Sequence, residues 1–380
     1  MIERQTRIAP ESRPKGIVIL SLALALGGLS ACQSKVLKAE NSQEILKNEE
    51  FENKIQIEQL PPAEAAQGDP SGAYVRLPGP EPVPSAWPTP TKKDKGKAAG
   101  KNASKPQVGR ASSKTANAAP QAAATPIVHE PAIEDGEGFI GRRPQNDPYR
   151  VGEKVTLEAS YFGVVAGDMT LETRPFVQVN GRKSYNFVGT AISTSVFAMF
   201  YAVDDWFETQ VDYETMIPYS YALHVKESKQ LRETRSVFDW SKGRAFWWDK
   251  KIDSEKKVEE NRKEWELPPY SQNIFSAAYY LRSFQLRPGK KIAFRVAHEN
   301  ENLVVTAEVI RRERISTPAG DFNTVVIKPK IELNGVFKPV GDIFMWLTDD
   351  ERKFIIRIES KIKIGTIVAV AKKVEPGPLP

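Results

Sequence analysis

Residues 176–188 read Phe-Val-Gln-Val-Asn-Gly-Arg-Lys-Ser-Tyr-Asn-Phe-Val, and this stretch decides the fold. Asn180-Gly181 stands between two runs of β-forming residues, which is the strongest local sequence signal for a two-residue β-hairpin turn. A connection this short joins antiparallel strands only. The stretch therefore predicts a hairpin, and Asn334-Gly335 predicts a second turn of the same kind.

Period-two alternation extends on both sides of this hairpin from Asp147 onward. Runs of β-branched and aromatic residues are separated by Gly, Asn, Asp and Pro, which is the pattern of strands and turns. Upstream, Val155 to Tyr161 alternates, and a second strand passes through Met169 and Leu171. The close spacing favours antiparallel connections, because parallel strands need long crossovers. Further strands are predicted at Trp206–Val211, Tyr219–Lys226, Glu233–Phe238, Arg244–Trp248, Ile292–Ala297, Leu303–Arg311, Thr324–Leu333, Asp342–Leu347, Phe354–Lys361 and Gly365–Ala371.

One segment follows a helical pattern instead. Ser271 is a suitable N-cap after Pro268-Pro269, and Pro288-Gly289 ends the run. Its apolar residues recur at helical spacing: Ile274, Phe275, Ala278, Leu281 and Phe284. A single amphipathic helix beside many strands buries its apolar face against a sheet. The predicted fold class is all-β with one main helix, as a curved antiparallel sheet or open barrel packed on that helix.

Four blocks of this region carry a resemblance to a known family. They are Tyr149-Arg150-Val151-Gly152-Glu153 leading to Tyr161-Phe162-Gly163 and Ala166-Gly167; Phe275-Ser276-Ala277-Ala278-Tyr279-Tyr280-Leu281-Arg282; Thr317-Pro318-Ala319-Gly320-Asp321-Phe322; and Trp346-Leu347-Thr348-Asp349-Asp350-Glu351-Arg352. Together they resemble the bacterial envelope family known as domain-of-unknown-function family 3108, over about residues 147 to 372. The resemblance implies an exported, mostly antiparallel β domain. It implies no activity, so no catalytic residue is carried over.

The N-terminus has the features of an export signal. Arg4, Arg7, Arg13 and Lys15 precede the apolar run Ile17 to Leu26, which is too short to span a bilayer comfortably. Leu29-Ser30-Ala31-Cys32 then resembles the lipobox of bacterial lipoproteins, in which the cysteine is acylated and becomes the N-terminus. Residues 1–31 are therefore predicted to be a lipoprotein signal peptide. The alternative is a short membrane anchor helix that ends in cysteine.

Cys32 is the only cysteine, so acylation would leave the mature chain without a disulfide, and its stability must come from core burial. By resemblance to the bacterial sorting pattern, Gln33 in place of aspartate predicts anchoring in the outer membrane. The folded domain would then face the periplasm. The membrane is the predicted partner of the lipid anchor.

Residues 32–145 are predicted to be a disordered tether rich in Pro, Ala and Lys, residues 146–374 the β domain and residues 375–380 a tail. As a flexible coil the tether would span about 60 Å. Asn41 to Leu60 is the exception, interpreted as a frayed helix or a partner-binding helix. Leu77 to Pro90 is predicted to be a polyproline II spacer. Lys92 to Lys114 is strongly basic, but no aromatic residues interleave its lysines, so nucleic acid is not a predicted partner.

Catalytic and metal-binding patterns are weak. His129, His224 and His298 have no Cys, Asp or Glu at metal-ligand spacing, so neither a metal nor another cofactor is predicted. Serine residues lack the G-x-S-x-G elbow of hydrolases. Asp204-Asp205 and Asp349-Asp350 each lie near a tryptophan, and a glycan hydrolase would require the two pairs to face each other at about 5 to 10 Å. Aspartates at strand ends more often form turns, and Asp349-Asp350 is interpreted as a tight turn.

Aromatic residues are the more informative set. Val196 to Tyr201 (VFAMFY) is interpreted as a second short helix or as a mobile lip over a cavity. Adjacent residues on one strand point to opposite faces, so Trp247 and Trp248 cannot both enter one core unless both sheet faces are covered. One of them must line a second surface, which is the reason for preferring a binding module. The predicted ligand-binding residues are Phe197, Phe200, Tyr201, Trp206, Trp247 and Trp248.

Three functions follow from these observations as hypotheses. The first is a non-enzymatic envelope lipoprotein whose β domain binds an apolar or amphipathic envelope component, or a partner protein, in an aromatic-lined concavity. It requires a deep apolar pocket. The second is an envelope scaffold, in which the tether lets the domain reach cell-wall or membrane complexes. It requires a filled interior and an exposed edge or aromatic patch. The third is the glycan hydrolase described above.

The lipobox makes a direct prediction. Replacement Cys32→Ser removes the thiol that the acyl group would modify, so the chain should lose its lipid and leave the membrane fraction. Mass spectrometry of the N-terminal peptide and fractionation of cells measure both effects. A Cys32→Ser chain that remained acylated would contradict the assignment of a lipoprotein signal.

Overall fold

The computed structural model describes residues 48–61, 129–333, 336–338, 342–362 and 365–378. The described residues contain the helices α1 (Glu49–Glu52), α2 (Ser195–Ala198) and α3 (Ile274–Tyr280). A 3₁₀ turn at Leu281–Ser283 continues α3. The strands are β1 (Ile57–Gln59), β2 (Phe139–Ile140), β3 (Arg143–Pro144), β4 (Glu153–Tyr161), β5 (Val164–Val179), β6 (Arg182–Ser193), β7 (Asp204–Asp212), β8 (Pro218–Glu227), β9 (Gln230–Asp239), β10 (Arg244–Asp253), β11 (Val258–Glu266), β12 (Lys291–His298), β13 (Glu301–Thr317), β14 (Gly320–Leu333), β15 (Val336–Lys338), β16 (Ile343–Thr348), β17 (Ile355–Ile362) and β18 (Gly365–Pro376).

Most of these strands form one large antiparallel sheet. Its order is β11-β10-β9-β8-β7-β6-β5-β4-β18-β17-β16-β14-β13-β12, with β1 beside β5 and β15 beside β14. Among the described strands, the edges β11 and β12 do not pair with each other, so the sheet is not closed. The predicted all-β fold class is confirmed.

The Asn180-Gly181 turn joins β5 to β6 as predicted. Both residues have positive φ, 47° and 79°, as a turn of type I′ requires. Val179 pairs with Arg182 directly beside the turn. The second predicted turn, Asn334-Gly335, lies outside the described residues, and its flanking strands β14 and β15 pair in an antiparallel manner.

Helix α3 lies in the concavity of the sheet. Phe275 stacks on Phe207 of β7 at 4.3 Å between ring centroids, and Tyr280 meets Phe294 of β12 at 5.5 Å. Since β7 and β12 are far apart in the strand order, the sheet must curl around the helix to bring both against it. The helix begins later than predicted. Asn273, not Ser271, is the N-cap, because the preceding loop runs along the edge of β12, where Gln272 bridges to Val296.

The two ends of the sheet differ. We call one the closed end; it carries the turn at Asn180-Gly181 and the β13–β14 and β16–β17 connections. There the segment 129–152 covers the concavity, with Phe139 against Phe284 at 5.2 Å and Tyr149 against Phe187 at 5.0 Å. We call the other the open end; it carries the β4–β5, β8–β9 and β17–β18 connections and α2.

A buried cluster of ion pairs connects the elements at the closed end. Glu153 at the start of β4 accepts hydrogen bonds from Arg282 at 2.7 Å and from Arg352 at 2.6 Å. Both arginines also donate to the carbonyl oxygen of Pro148, and Arg282 donates to the carbonyl of Arg352. Glu153 and Arg282 are almost fully buried. The cluster therefore links β4, the end of α3 and the β16–β17 connection.

Two segments within the predicted tether pack against the sheet. In residues 48–61, Phe51 is buried against Trp248, and β1 pairs with the part of β5 that extends beyond β4. Residues 57–59 are thus a strand rather than part of a helix, because an unpaired stretch of β5 is available to them. Residues 129–145 are held by buried side chains, His129 and Phe139 among them. The ordered chain therefore begins before the predicted boundary at residue 146.

The structure also differs from the predictions at one edge strand of the sheet and at the carboxyl-terminal end of the domain. Strand β11 was not predicted, because its sequence Val-Glu-Glu-Asn-Arg-Lys-Glu-Trp-Glu has almost no apolar alternation. Charged residues are typical of an exposed edge strand, where they oppose pairing with another chain. Strand β18 continues to Pro376, past the predicted end of the domain at residue 374.

Several predictions fall on residues outside the described ranges. They include the signal peptide with Cys32, the first part of the predicted Asn41 to Leu60 helix, the spacer Leu77 to Pro90 and the basic run Lys92 to Lys114. These remain predictions.

Replacement of the buried carboxylate should strongly destabilise the domain. Glu153→Gln would leave two guanidinium groups without their counter-charge, and breaking a buried ion pair from one side costs about 3 to 5 kcal/mol. The control is Asp168→Asn, whose partner Lys372 is 2.7 Å away but exposed, so that loss should stay below about 1 kcal/mol. Urea unfolding measures both variants, and equal losses would contradict a central role for the cluster.

Candidate functional site

A cleft opens at the open end, between α2 and the adjoining ends of β4, β5, β6 and β18. It encloses about 530 Å³ of space, part of it open to solvent. The surface that it presents is almost entirely apolar. Its lining residues are Ala159, Ser160, Tyr161, Ala166, Gly167, Asp168, Ile192, Ser193, Phe197, Tyr201, Val203 and Ile367.

Small side chains create this space. Ala159 and Ala166 have small side chains in the wall of the cleft, and Gly167 has none. At Gly167 a Cβ atom would lie 2.3 Å from the carbonyl oxygen of Ile192, so no other residue fits without moving β6. Tyr161 and Ile367 face each other across the β4–β18 pair and form the apolar floor.

The α2 segment forms the opposite wall. Thr194 caps α2 by accepting a hydrogen bond from the Phe197 amide at 3.2 Å, and its own amide donates to the carbonyl of Ala166 at 2.9 Å. These bonds fix the segment to β5 and place Phe197 in the cleft. The short helix that VFAMFY predicted is present, but it spans Ser195–Ala198 and ends before Phe200.

Two buried carboxyl groups lie behind the cleft. Glu227 accepts a hydrogen bond from the Tyr201 hydroxyl at 2.7 Å, and Asp205 accepts one from the Lys226 amide at 2.9 Å. Burial, and then the neighbouring charge of Glu227, raise the pKa of Asp205 far above that of an ordinary aspartate. A proton held on Asp205 reduces the negative charge next to the apolar cleft.

The structure separates the predicted ligand-binding aromatics. Phe197 and Tyr201 line the cleft, whereas Phe200 is exposed outside it. Trp206 lies elsewhere on β7 and stacks on His224 with ring centroids 5.7 Å apart.

Trp247 and Trp248 lie in different apolar clusters, as the alternation predicts. Trp247 belongs to the cluster in the concavity of the sheet, together with Tyr221 and Trp265. Trp248 belongs to a small cluster with Phe51 and Val237. The second surface that Trp248 lines is therefore an intramolecular contact with residues 48–61, remote from the cleft.

Three of the cleft residues that were not predicted as site residues lie in a sequence block that the family resemblance had singled out. Tyr161, Ala166 and Gly167 belong to the first of the four blocks that carry the family resemblance. They are small or aromatic residues around a turn, a pattern that by itself is equally typical of a strand connection. Ile367 and Val203 are ordinary strand residues in the sequence, and only the strand pairing brings them to the cleft.

The acidic pairs do not meet. Asp204-Asp205 lies at the open end of β7, whereas Asp349-Asp350 follows β16 at the closed end, with five strands between β7 and β16 in the sheet. Asp350 accepts hydrogen bonds from the amides of Arg352 and Lys353, both at 2.9 Å, as the predicted tight turn requires. The geometry that a glycan hydrolase would need is absent from these residues.

The histidines have structural surroundings. His129 lies 2.8 Å from Glu134 in a buried group, which corrects its assignment to the tether. His224 is hydrogen-bonded to Glu233 on the neighbouring strand β9. Burial, and then the charge of Arg232, lower the pKa of His298 to about 4, so it is neutral at pH 7. In the described part of the chain, no group of three or more His, Cys, Asp or Glu side chains is arranged to hold a metal ion.

The described residues form an open antiparallel sheet of 16 strands that curls around one helix and has an apolar cleft at one end. The chain belongs to the family described as protein of unknown function (DUF3108), whose profile matches residues 156–372. The predicted resemblance is confirmed. No helix among the described residues is long and apolar enough to cross a bilayer.

The solved structures to which this chain is similar are distant in sequence. A β-barrel-like protein of domain of unknown function DUF1849 from Brucella abortus is 12% identical, with 59% of this chain and 97% of that chain covered and a TM-score of 0.38. A Bacteroides fragilis protein assigned as exported, with a YmcC-like fold, is 10% identical, with 60% and 97% covered and a TM-score of 0.24. A protein from Parabacteroides distasonis assigned as a lipoprotein is also 10% identical, with 59% and 95% covered and a TM-score of 0.24. No curated protein compared with this chain matches it.

The buried carboxyl group predicts how stability depends on pH. The folded state raises the pKa of Asp205, so it holds a proton that the unfolded chain releases above about pH 4. The folded state binds more protons than the unfolded state, and this group therefore lowers stability as the pH rises from about 5 to about 8. Replacement Asp205→Asn should weaken that decline and make the variant more stable than the wild type at about pH 8.

Urea midpoints measured at both pH values give the comparison. The control is Asp204→Asn, an adjacent but exposed carboxylate, which should keep most of the wild-type pH dependence. The same pH dependence in Asp205→Asn and wild type would show that Asp205 is ionised in the folded protein.

Proposed function

We propose that this protein is a non-enzymatic lipoprotein, anchored in the outer membrane and facing the periplasm, whose β domain binds an apolar or amphipathic envelope component in the cleft. The cleft itself carries the proposal. Its walls are apolar with few polar groups, which is the composition typical of small-molecule sites. The location rests on the Leu29-Ser30-Ala31-Cys32 motif.

The surroundings of the cleft favour a ligand with an apolar chain and a polar head. Phe197, Tyr161 and Ile367 offer aromatic and aliphatic surface for the chain. Ser160, Ser193 and Asp168 lie in the wall and provide polar contacts for a head group. The apolar cleft supports the binding hypothesis, which required a deep apolar pocket, although part of this cleft is open to solvent.

Blocking the cleft should abolish binding of an apolar probe. The mature chain from residue 33 onward, produced without the acyl group, is titrated with N-phenyl-1-naphthylamine, whose fluorescence rises in apolar surroundings. A lysophospholipid with one acyl chain then competes for the site. Ala166→Phe places a phenyl ring at a half-buried position in the cleft wall and should weaken probe binding at least about tenfold, because it occupies the space of the ligand.

The matched control adds the same ring away from the cleft. Val258→Phe changes an exposed residue on the edge strand β11 and should bind the probe as the wild type does. Circular dichroism and urea unfolding verify that both variants fold. Equal probe affinity in all three proteins, or no competition by the lysophospholipid, would contradict the proposed function.

A further inference from the structure

Large apolar side chains are exposed mainly at the open end. Of the eleven large apolar residues exposed in the described ranges, seven lie around the mouth of the cleft. We call these residues the apolar rim: Phe162, Val164, Val165, Ile192, Val196, Met199 and Phe200. Phe162, Met199 and Phe200 are each at least 70% exposed. Soluble domains rarely expose such a concentration of apolar surface unless it meets a partner.

The rim is continuous in the structure. Phe162, Val164 and Val165 lie at the β4–β5 connection, and the α2 segment is fixed to the same part of β5 by the bond from the Thr194 amide to the Ala166 carbonyl. Ile192 pairs with Asp168 on β5, two residues beyond Ala166. The rim residues therefore come from adjacent strand ends and from the wall of the cleft.

Two pairs of opposite charges lie beside the rim. Lys372 lies 2.7 Å from Asp168, and Lys226 lies 3.4 Å from Asp204. Paired charges leave little net attraction for an ionic partner, so the rim suits an uncharged apolar surface. A lipid bilayer whose head groups admit apolar side chains is such a surface.

The chain length before the domain is sufficient for the open end to reach the bilayer. Since α1 and β1 dock on the sheet, only residues 33–47 separate the predicted acyl anchor from the folded domain. About 15 residues span at most about 50 Å when fully extended. Phe51 contacts Trp248 in the middle of β10, about 17 Å from the end of that strand, so this length lets the open end reach the bilayer.

We propose that the apolar rim is a membrane-contact surface, which inserts into the head-group region of the bilayer that carries the lipid anchor. The proposal rests on the proposed function, since the anchor sets the distance. Contact at the rim places the mouth of the cleft on the bilayer. An amphipathic ligand then enters the cleft from the membrane without passing through water.

Vesicle flotation of the chain without its acyl group tests the rim alone. The mature chain from residue 33 onward should float with phosphatidylcholine vesicles and equally with phosphatidylethanolamine–phosphatidylglycerol vesicles, with little effect of salt. The double variant Met199→Asp, Phe200→Asp should bind at least about tenfold less, because charged groups resist insertion. The control Ile140→Asp, which is 63% exposed at the closed end, should float as the wild type does.

Three flotation results would overturn the proposal. They are a wild-type chain that does not float, a rim variant that floats as well as the control, and flotation that depends on anionic lipid and disappears in salt. Analytical ultracentrifugation tests whether a second copy of the chain covers the rim instead. A wild-type dimer that the rim variant abolishes would assign the rim to that second copy and overturn the membrane-contact proposal.

The test separates this proposal from the proposed function. Ala166→Phe blocks the cleft but leaves the rim unchanged, so it should still float. A wild-type chain that floats but binds no apolar probe would refute the ligand-binding proposal alone. A chain that binds the probe but does not float would refute the membrane-contact surface alone.

Discussion

The buried contact of Glu153 with Arg282 and Arg352 connects parts of the chain that are far apart in sequence. It joins β4, the end of α3 and the β16–β17 connection, and thereby fixes the helix inside the curled sheet. Desolvation offsets much of the attraction in such a cluster, so its main effect is to disfavour other arrangements of these elements. Three of the four blocks that carry the family resemblance contribute its residues, which gives those blocks a structural explanation.

The two ends of the domain differ in how completely their interiors are filled. Aromatic residues and segment 129–152 fill the closed end, where Tyr149 donates a hydrogen bond to the carbonyl of Tyr279. At the open end, small residues such as Gly167 leave the cleft unfilled. The buried ionic cluster and most of the aromatic contacts described above therefore lie at the end of the sheet opposite the cleft.

Local signals in the sequence predicted the fold well but the site only in part. Asn180-Gly181 and the alternating runs predicted most strands, because both sides of a hairpin carry their own pattern. Strand β11 was not predicted because an exposed edge strand needs no apolar face. The strand at residues 57–59 was not predicted because it forms by pairing with β5, which is distant in sequence. Phe197 and Tyr201 line the cleft at and just after the predicted short helix, whereas Ile367 reaches it through strand pairing, which a single sequence does not reveal.

The docking of β1 also changes the topology of the chain. Residues 48–61 and 129–145 are both fixed to one sheet, so residues 62–128 connect two points on the same body instead of leading away from it. Residues 48–61 contact the sheet through β1, Phe51 and Ile55. Because they belong to the same chain as the sheet, this contact forms without the entropic cost of bringing two separate molecules together.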